Sequence, residues 1–276
     1  MIRYALGVLA TTVSLGAVAD EAQFKTADDL FALREGSVEN TQAARQKYLE
    51  IADSGVKGAD LVRAIVGAAR TLIYEGEALT GMTSDDDVQT RRALFKDCFD
   101  NVTQKINPAN LGYASPAYYY FTASCMGYYA QVSGTLENLA NVKRLNDTLN
   151  AGYETQGGNS YEGGGLNRVK AAVTSNPKAK PIPGGLYNPE AALVLINDAI
   201  ASEAYPGNYE GTLFCENYRR KVDVLVELER PADAKATADQ AVEEFEFLLE
   251  LEEVPAVLVA ETKHCVAKIQ EKAATL

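Results

Sequence analysis

Paired helical segments that recur at intervals of roughly 40 to 50 residues most constrain how this chain of 276 residues can fold. From Glu39 onward, apolar residues follow the three- and four-residue spacing of amphipathic helices, and clusters of Gly, Pro or Ser separate the segments. The predicted pairs cover residues 39–79, 83–134, 135–177, 187–229 and 231–276. Because such pairs bury their apolar faces against their neighbours, we expect one domain over residues 20–276, an all-α solenoid of about five helical hairpins.

Residues 244–251, with the sequence EFEFLLEL, are the one segment in which a strand competes with a helix. Their alternation fits the period of two that a half-buried strand shows. However, Phe245, Leu248 and Leu249 also share one face of a helix, and an alanine-rich run precedes them. We therefore predict a helix here.

The N-terminus has the pattern of a secretory signal peptide. Arg3 precedes an apolar run, and the small residues Ala17 and Ala19 form a cleavage pattern before Asp20. The run is too short to span a bilayer, and no later segment reaches the roughly 20 apolar residues of a membrane helix. We expect residues 1–19 to be removed and the protein to be exported to the periplasm, without membrane insertion.

The formal net charge of −12 argues against two classes of partner. An acidic protein repels the phosphates of nucleic acids and the head groups of anionic lipids, so we expect neither as a partner. An acidic run follows the alanine-rich segment and comprises Glu243, Glu244, Glu246, Glu250, Glu252 and Glu253. We interpret it as a solvated helix face, with a basic protein partner as the alternative.

Four cysteines in an exported chain can form two disulfides. Cys98 and Cys125 are nearly equidistant from the predicted turn at Leu111, and such residues lie side by side in a helical hairpin, so we predict a bond between them. Cys215 and Cys265 lie on the second helices of the fourth and fifth pairs, which stack as neighbours, and a second bond is predicted there. The alternative for each is a buried thiol that packs as a small apolar side chain.

The segment YEGGGLNR, residues 161–168, raises the choice between a phosphate-binding loop and a turn. A P-loop needs a preceding strand and a Lys followed by Ser or Thr at the helix start, whereas a helix is predicted here and Leu166 and Asn167 occupy that place. A dinucleotide-binding loop needs a βαβ unit, which the pattern does not predict. We interpret the glycines as a turn with positive φ angles that permits close helix packing, with Asn167 or Arg168 near the first helical turn.

No catalytic or metal-binding constellation and no cofactor is predicted. His264 is the only histidine, and a lone histidine without a paired nucleophile is more often structural than catalytic. The run Asp85–Asp87 lacks the glycine and the distal glutamate of a calcium loop, so we interpret it, with Ser84, as the capped start of a helix. No cysteine belongs to a CxxC motif, which disfavours a zinc or redox site.

Tyrosine is the unusual aromatic choice of this chain, which has fifteen tyrosines and no tryptophan. Five of them crowd the predicted helix at 115–134. One stripe of this helix, residues 118, 122, 125 and 129, is expected to face its hairpin partner as packing. Tyr119, Tyr120 and Tyr128 then point elsewhere and suit a groove or a partner surface, since each joins an apolar ring to a hydroxyl. Ordinary packing between helices is an equally good interpretation of these three.

Two blocks of the sequence resemble the T-component family of tripartite ATP-independent periplasmic (TRAP) transporters. In the first, PAYYYFTASCMGYYA, the family-like residues are Tyr119, Tyr120, Ala123, Gly127 and Tyr128. In the second, YEGGGLNR and the proline and helix start after it, they are Tyr161, Glu162, Gly163, Gly165, Arg168, Pro177, Gly185 and Ala191. The resemblance extends over residues 85–250.

The resemblance implies a periplasmic, tetratricopeptide-like helical protein that often forms a homotrimer. It also implies binding to the substrate-capturing P component of such a transporter, a periplasmic solute-binding protein, and a central channel for an apolar ligand. Family members are commonly lipoproteins, whereas residues 1–19 contain no cysteine to accept a lipid.

Three functions follow as expectations. The first is a non-enzymatic periplasmic scaffold whose concave face binds the solute-binding protein. The alternative is a carrier of a small apolar ligand or organic acid, and a third class is an enzyme that uses Glu162 and Arg168. The residues assigned to partner or ligand binding are Tyr119, Tyr120, Tyr128, Tyr161, Glu162, Asn167 and Arg168.

Overall fold

The computed structural model describes residues 21–181 and 186–276. Within these two ranges every regular element is a helix and no strand forms, so the all-α prediction is confirmed. The predicted signal peptide, residues 1–19, lies outside the described residues, as does Gly185. No described helix combines the length and the apolar character that crossing a lipid bilayer requires.

The helices follow one another along the chain with short connections. The first six are α1 (Glu21–Ala32), α2 (Val38–Asp53), α3 (Gly58–Tyr74), α4 (Asp85–Asp97), the one-turn α5 (Pro108–Leu111) and α6 (Pro116–Val132). The next six are α7 (Thr135–Glu154), α8 (Tyr161–Thr174), α9 (Pro189–Ile200), α10 (Cys215–Glu227), α11 (Pro231–Glu250) and α12 (Val259–Ala273). A π-helical turn, Glu75–Leu79, extends α3, and a second one, Cys98–Val102, extends α4.

Several helices begin where local chemistry satisfies the first backbone N–H groups. The Ser84 hydroxyl accepts a hydrogen bond from the Asp87 N–H, and the Asp87 carboxylate accepts one from the Ser84 N–H. The predicted cap at the acidic run is therefore confirmed. Proline occupies the first position of α6, α9 and α11, where its missing N–H costs no hydrogen bond.

The helix boundaries differ from the sequence prediction in three places. Helix α1 was not predicted, although Phe24, Ala27 and Phe31 are buried along one face of it. The predicted helix over residues 207–229 starts only at Cys215, and the one over residues 254–276 starts at Val259, because 3₁₀ turns precede both. The helix predicted over residues 244–251 is confirmed, since it continues α11 to Glu250.

The predicted pairs α2–α3, α4–α6, α9–α10 and α11–α12 pack against each other. The pair predicted over residues 135–177 is wrong, because α7 packs mainly against α6, whereas α8 packs mainly against α9 and α6. The backbone between α7 and α8 contains residues with positive φ angles at Gly157 and from Glu162 to Gly164. These residues redirect the chain and separate α8 from α7.

Both disulfides join the cysteines that were expected to pair. Cys98 in the π-helical turn after α4 bonds to Cys125 of α6, and their Cα atoms are 6.0 Å apart. Cys215 of α10 bonds to Cys265 of α12, with Cα atoms 6.2 Å apart. The first bond ties the second hairpin together, and the second bond connects two consecutive pairs.

The predicted packing stripe of α6 is confirmed around the first disulfide. The Thr122 hydroxyl donates a hydrogen bond to the Thr103 hydroxyl at 2.9 Å. The Tyr129 ring meets the Phe99 ring edge-on, with ring centroids 5.3 Å apart. This face of α6 is therefore hairpin core, and Tyr129 at its end also lines the cavity described below.

The first and last parts of the described chain are in contact. Arg34, which follows α1 and is only 1% exposed, donates a hydrogen bond to the Val257 carbonyl oxygen at 2.8 Å and pairs with Glu261 of α12. Lys263 lies 2.8 Å from the Glu35 carboxylate. These contacts hold α12 against the end of α1, and a cavity lies between the helices.

Candidate ligand-binding cavity

A cavity of about 600 Å³ lies between α3, α6 and α8 on one side and α10 and α12 on the other. Its apolar wall includes Phe121, Met126, Leu145, Val169, Phe214 and Leu258. Polar and charged side chains interrupt this wall at a few places. The size and the lining are typical of pockets that hold small molecules.

The turn that opens α8 forms one edge of the cavity. Glu162, Gly163 and Gly164 adopt left-handed backbone conformations, with φ angles of 52°, 55° and 73°. A Cβ atom at Gly163 would overlap the Phe214 ring, and one at Gly164 would lie 2.5 Å from the Cα atom of Ala199. The predicted turn with positive φ angles and close helix packing is therefore confirmed.

The Glu162 carboxylate is held in the wall by two hydrogen bonds. Its Oε1 atom accepts one from Arg70 of α3 at 2.5 Å and one from the Asn208 amide at 2.9 Å. Glu162 is only 4% exposed, and its left-handed conformation costs about 1–2 kcal/mol. The ion pair with Arg70 offsets this cost and neutralises both charges.

Arg168 is a buried guanidinium with neutral hydrogen-bond partners. It is 5% exposed, and it donates to Asn217 Oδ1 at 2.7 Å, to the Tyr120 hydroxyl at 2.9 Å and to the Glu162 carbonyl oxygen at 3.2 Å. Among the described residues no carboxylate lies within 4.0 Å of this guanidinium. Arg168 thus fixes the turn, and the charges of Glu216 and Glu162 act on it from beyond ion-pair distance.

An alternating chain of ion pairs runs along the opposite wall. In order it comprises Arg91, Glu77, Arg219, Glu216, Arg220, Asp223 and Lys272. Glu216 lies at the centre, 2.6 Å from Arg219 Nε and 2.9 Å from Arg220 Nε. Six of the seven residues line the cavity, three cations and three carboxylates, and Arg91 pairs with Glu77 without lining it. We refer to these seven residues as the ion-pair chain.

The pKa of Glu216 reflects this positive surrounding. Burial alone would raise the pKa of its carboxyl, but Arg219 and Arg220 outweigh burial and lower it to about 2. Glu216 is therefore ionised throughout the neutral range. The surface that faces the cavity here stabilises negative charge.

Two polar groups next to the ion-pair chain have no partner. The Tyr128 ring stacks on Phe95 with centroids 5.2 Å apart, and its hydroxyl makes no hydrogen bond with any described residue. His264 Nε2 is buried and likewise unpartnered. Burial lowers the pKa of His264, which keeps the imidazole neutral at neutral pH. The charges of Arg219 and Glu77 act on both Tyr128 and His264. Tyr128 and His264 therefore lie near the same part of the ion-pair chain.

The structure separates the predicted binding residues into two groups. Tyr120, Tyr128, Glu162 and Arg168 line the cavity. Tyr119, Tyr161 and Asn167 do not.

Each of these last three side chains is engaged elsewhere. Tyr119 packs on Tyr118 and against Gly152 of α7, and Tyr161 packs between the rings of Tyr120, Phe121 and Tyr205. Asn167 Oδ1 accepts a hydrogen bond from the Tyr153 hydroxyl at 2.9 Å. Successive residues of a helix point about 100° apart, which is why Asn167 leaves the wall that Arg168 reaches.

Sequence reasoning did not single out the residues of the ion-pair chain, and it treated His264 as structural. A usable signal was present in the acid-to-arginine spacings of three and four from Glu216 to Arg219 and Arg220 on one helix. Glu77 and Arg91 come from a different part of the chain, and no local pattern links them to α10. Within the two described ranges, no group of three or more His, Cys, Asp or Glu side chains is placed to hold a metal ion.

A comparison of the chain with known protein families and with functionally characterised proteins finds no match. The cavity and the sequence pattern are therefore the features that bear on function.

Proposed function

We propose that the protein is an exported, non-enzymatic carrier that binds a small, largely apolar molecule in the central cavity. The supporting observation is the cavity itself, whose 600 Å³ volume is walled by apolar side chains and a few converging polar groups. Export is supported by the N-terminal sequence pattern and by the two disulfides, since such bonds persist in oxidising compartments such as the bacterial periplasm.

Native mass spectrometry of the chain from Asp20, purified from the periplasm of its source, tests this proposal. We expect a small-molecule mass that stays bound under gentle conditions and is lost on unfolding. A protein that carries no such mass, and that takes up no apolar probe afterwards, would refute the carrier function.

A cavity-filling variant supplies the matched comparison. Gly127 lines the cavity, and a Cβ atom there would meet only Val169, at 3.8 Å, so Gly127→Leu directs a side chain into the space. We expect this variant to fold and to lose the bound mass. Ala236→Leu adds a similar side chain on the exposed surface of α11, and this control variant should retain the bound mass.

A second candidate is a tetratricopeptide-like scaffold that binds the solute-binding protein of a TRAP-type transporter, as a monomer or a homotrimer. The supporting observation is that the two family-like blocks are adjacent in space. The Tyr120 hydroxyl of the first block accepts a hydrogen bond from Arg168 of the second, and a Cβ atom at Gly165 would overlap the Tyr120 ring.

Co-purification with a solute-binding protein from the same source tests the scaffold. We expect a stable complex or a trimer whose formation does not depend on the cavity. If Gly127→Leu abolished both ligand mass and complex, the two functions would be linked. A monomer with no affinity for solute-binding proteins of its source would refute the scaffold.

A further inference from the structure

Resting on the proposed carrier function, we infer that the ligand has an acidic head group, and that Arg219, Arg220 and the Tyr128 hydroxyl bind it. The remaining part of the ligand then contacts the apolar wall. Arg219 and Arg220 face the cavity from α10, and Tyr128 faces it from α6. Each of the three side chains keeps at least one hydrogen-bond donor that no described residue accepts.

Unused donors on the wall, not its net charge, favour an anion. Among the described residues, six cations and six carboxylates line the cavity, so the charges of the wall balance. The chain as a whole has a formal net charge of −12, and this neutral interior contrasts with it. A bound anion is stabilised where guanidinium groups keep hydrogen-bond donors that the protein does not use.

The available donors have the chemistry that an acid head group needs. Arg220 lies within ion-pair distance of Glu216 and Asp223 but makes no hydrogen bond with any described residue. Arg219 uses Nε and Nη2 for Glu216 and Glu77, which leaves its Nη1 free. A carboxylate oxygen accepts charge-assisted hydrogen bonds from guanidinium groups, and a tyrosine hydroxyl adds a third donor.

His264 and Glu216 are the other polar side chains near the proposed head-group site. His264 lines the same cavity, the charge of Arg219 acts on it, and its unpartnered Nε2 atom offers one more polar contact. Glu216 already accepts from Arg219 through both oxygens, at 2.6 Å each, so its charge is compensated before any ligand binds. The head group therefore meets the donors of Arg219 and Arg220 that Glu216 does not use.

Calorimetry with decanoate and 1-decanol tests the inference on protein from which bound material has been removed. The two probes share an alkyl chain and differ in the head group. We expect decanoate to bind about tenfold more tightly or better, because hydrogen bonds to a charged group are stronger than those to a neutral one. Equal affinity for both probes would overturn the acidic head group and leave the carrier function standing, whereas binding of neither probe would overturn both.

Variants locate the head group. Tyr128→Phe removes one oxygen and keeps the ring stacked on Phe95, and Arg220→Met leaves Glu216 paired with Arg219. We expect each to weaken decanoate binding about five- to tenfold and to leave 1-decanol unchanged. Tyr153→Phe, whose hydroxyl bonds Asn167 outside the cavity, is the matched control and should change neither. If Tyr128→Phe and Arg220→Met left the preference for decanoate intact, the assignment of these residues would be wrong.

Discussion

Replacing Glu216 by glutamine should destabilise the protein in a way that depends strongly on pH. Glu216 lies between Arg219 and Arg220, and its pKa is about 2 in the folded protein against an ordinary value of 4.5. A difference of about 2.5 pKa units corresponds to on the order of 3 kcal/mol of folding free energy when the carboxyl is ionised. Glutamine keeps the size of the side chain and removes this contribution.

The sign follows from the direction of the shift. Because folding lowers the pKa, the stabilisation is fully present above the unfolded value near 4.5 and is lost as the pH falls toward 2. We expect the free energy of unfolding of the wild type to exceed that of Glu216→Gln by about 3 kcal/mol at neutral pH. Below about pH 2.5 the difference should be less than about 1 kcal/mol.

Urea unfolding followed by circular dichroism measures this difference across the acid range, since the chain has no tryptophan for fluorescence. Glu243→Gln, at an exposed position of α11, serves as the control and should match the wild type at every pH. A destabilisation by Glu216→Gln that stayed constant from neutral to acid pH would refute the electrostatic account. So would a difference below about 1 kcal/mol at neutral pH.

Three further changes test the fold. Gly163→Ala should lower the free energy of unfolding in urea by more than about 2 kcal/mol, because the added methyl group overlaps Phe214 at a positive φ angle. Gly112→Ala is the control: its φ angle is 78° with open space around it, and it should cost only about 1 kcal/mol. Equal costs would contradict the packing argument. Replacing Cys98 and Cys125 by serine should lower stability by about 3 kcal/mol in calorimetry, since it releases a closed loop; an unchanged melting temperature would contradict this. Arg34→Met should speed amide hydrogen exchange in α12, and unchanged exchange would show that the contact between the ends does not hold this helix.

Local features of the fold, which depend on residues close together along the chain, could be predicted from the sequence. The helical hairpin that holds Cys98 and Cys125 follows from periodicity and from equal distance to a turn, and the bond between them follows from that geometry. The run of glycines at 163–165 implied a turn because only glycine adopts positive φ angles at low cost. Ser84 at a helix start is an equally local signal.

Features that depend on tertiary packing could not be predicted in the same way. The ion-pair chain brings Glu77 to Arg219 across a sequence separation of 142 residues, and neither residue is unusual in its own helix. The pairing of α8 with α9 depends on how the turn at Glu162 redirects the backbone. The cavity is lined by residues of α3, α6, α7, α8, α10 and α12, which no local pattern brings together.

The contact of Arg34 with Val257 and Glu261 has a consequence for how the chain can change in length. In an open helical array each unit contacts only its neighbours, so units are added or removed at low cost. Here an inserted or deleted hairpin would shift α12 away from Arg34 and leave a buried guanidinium with only the Phe31 carbonyl oxygen as an acceptor. Gain or loss of a whole hairpin therefore costs this contact, whereas substitutions in the wall and changes in outer loops leave it intact.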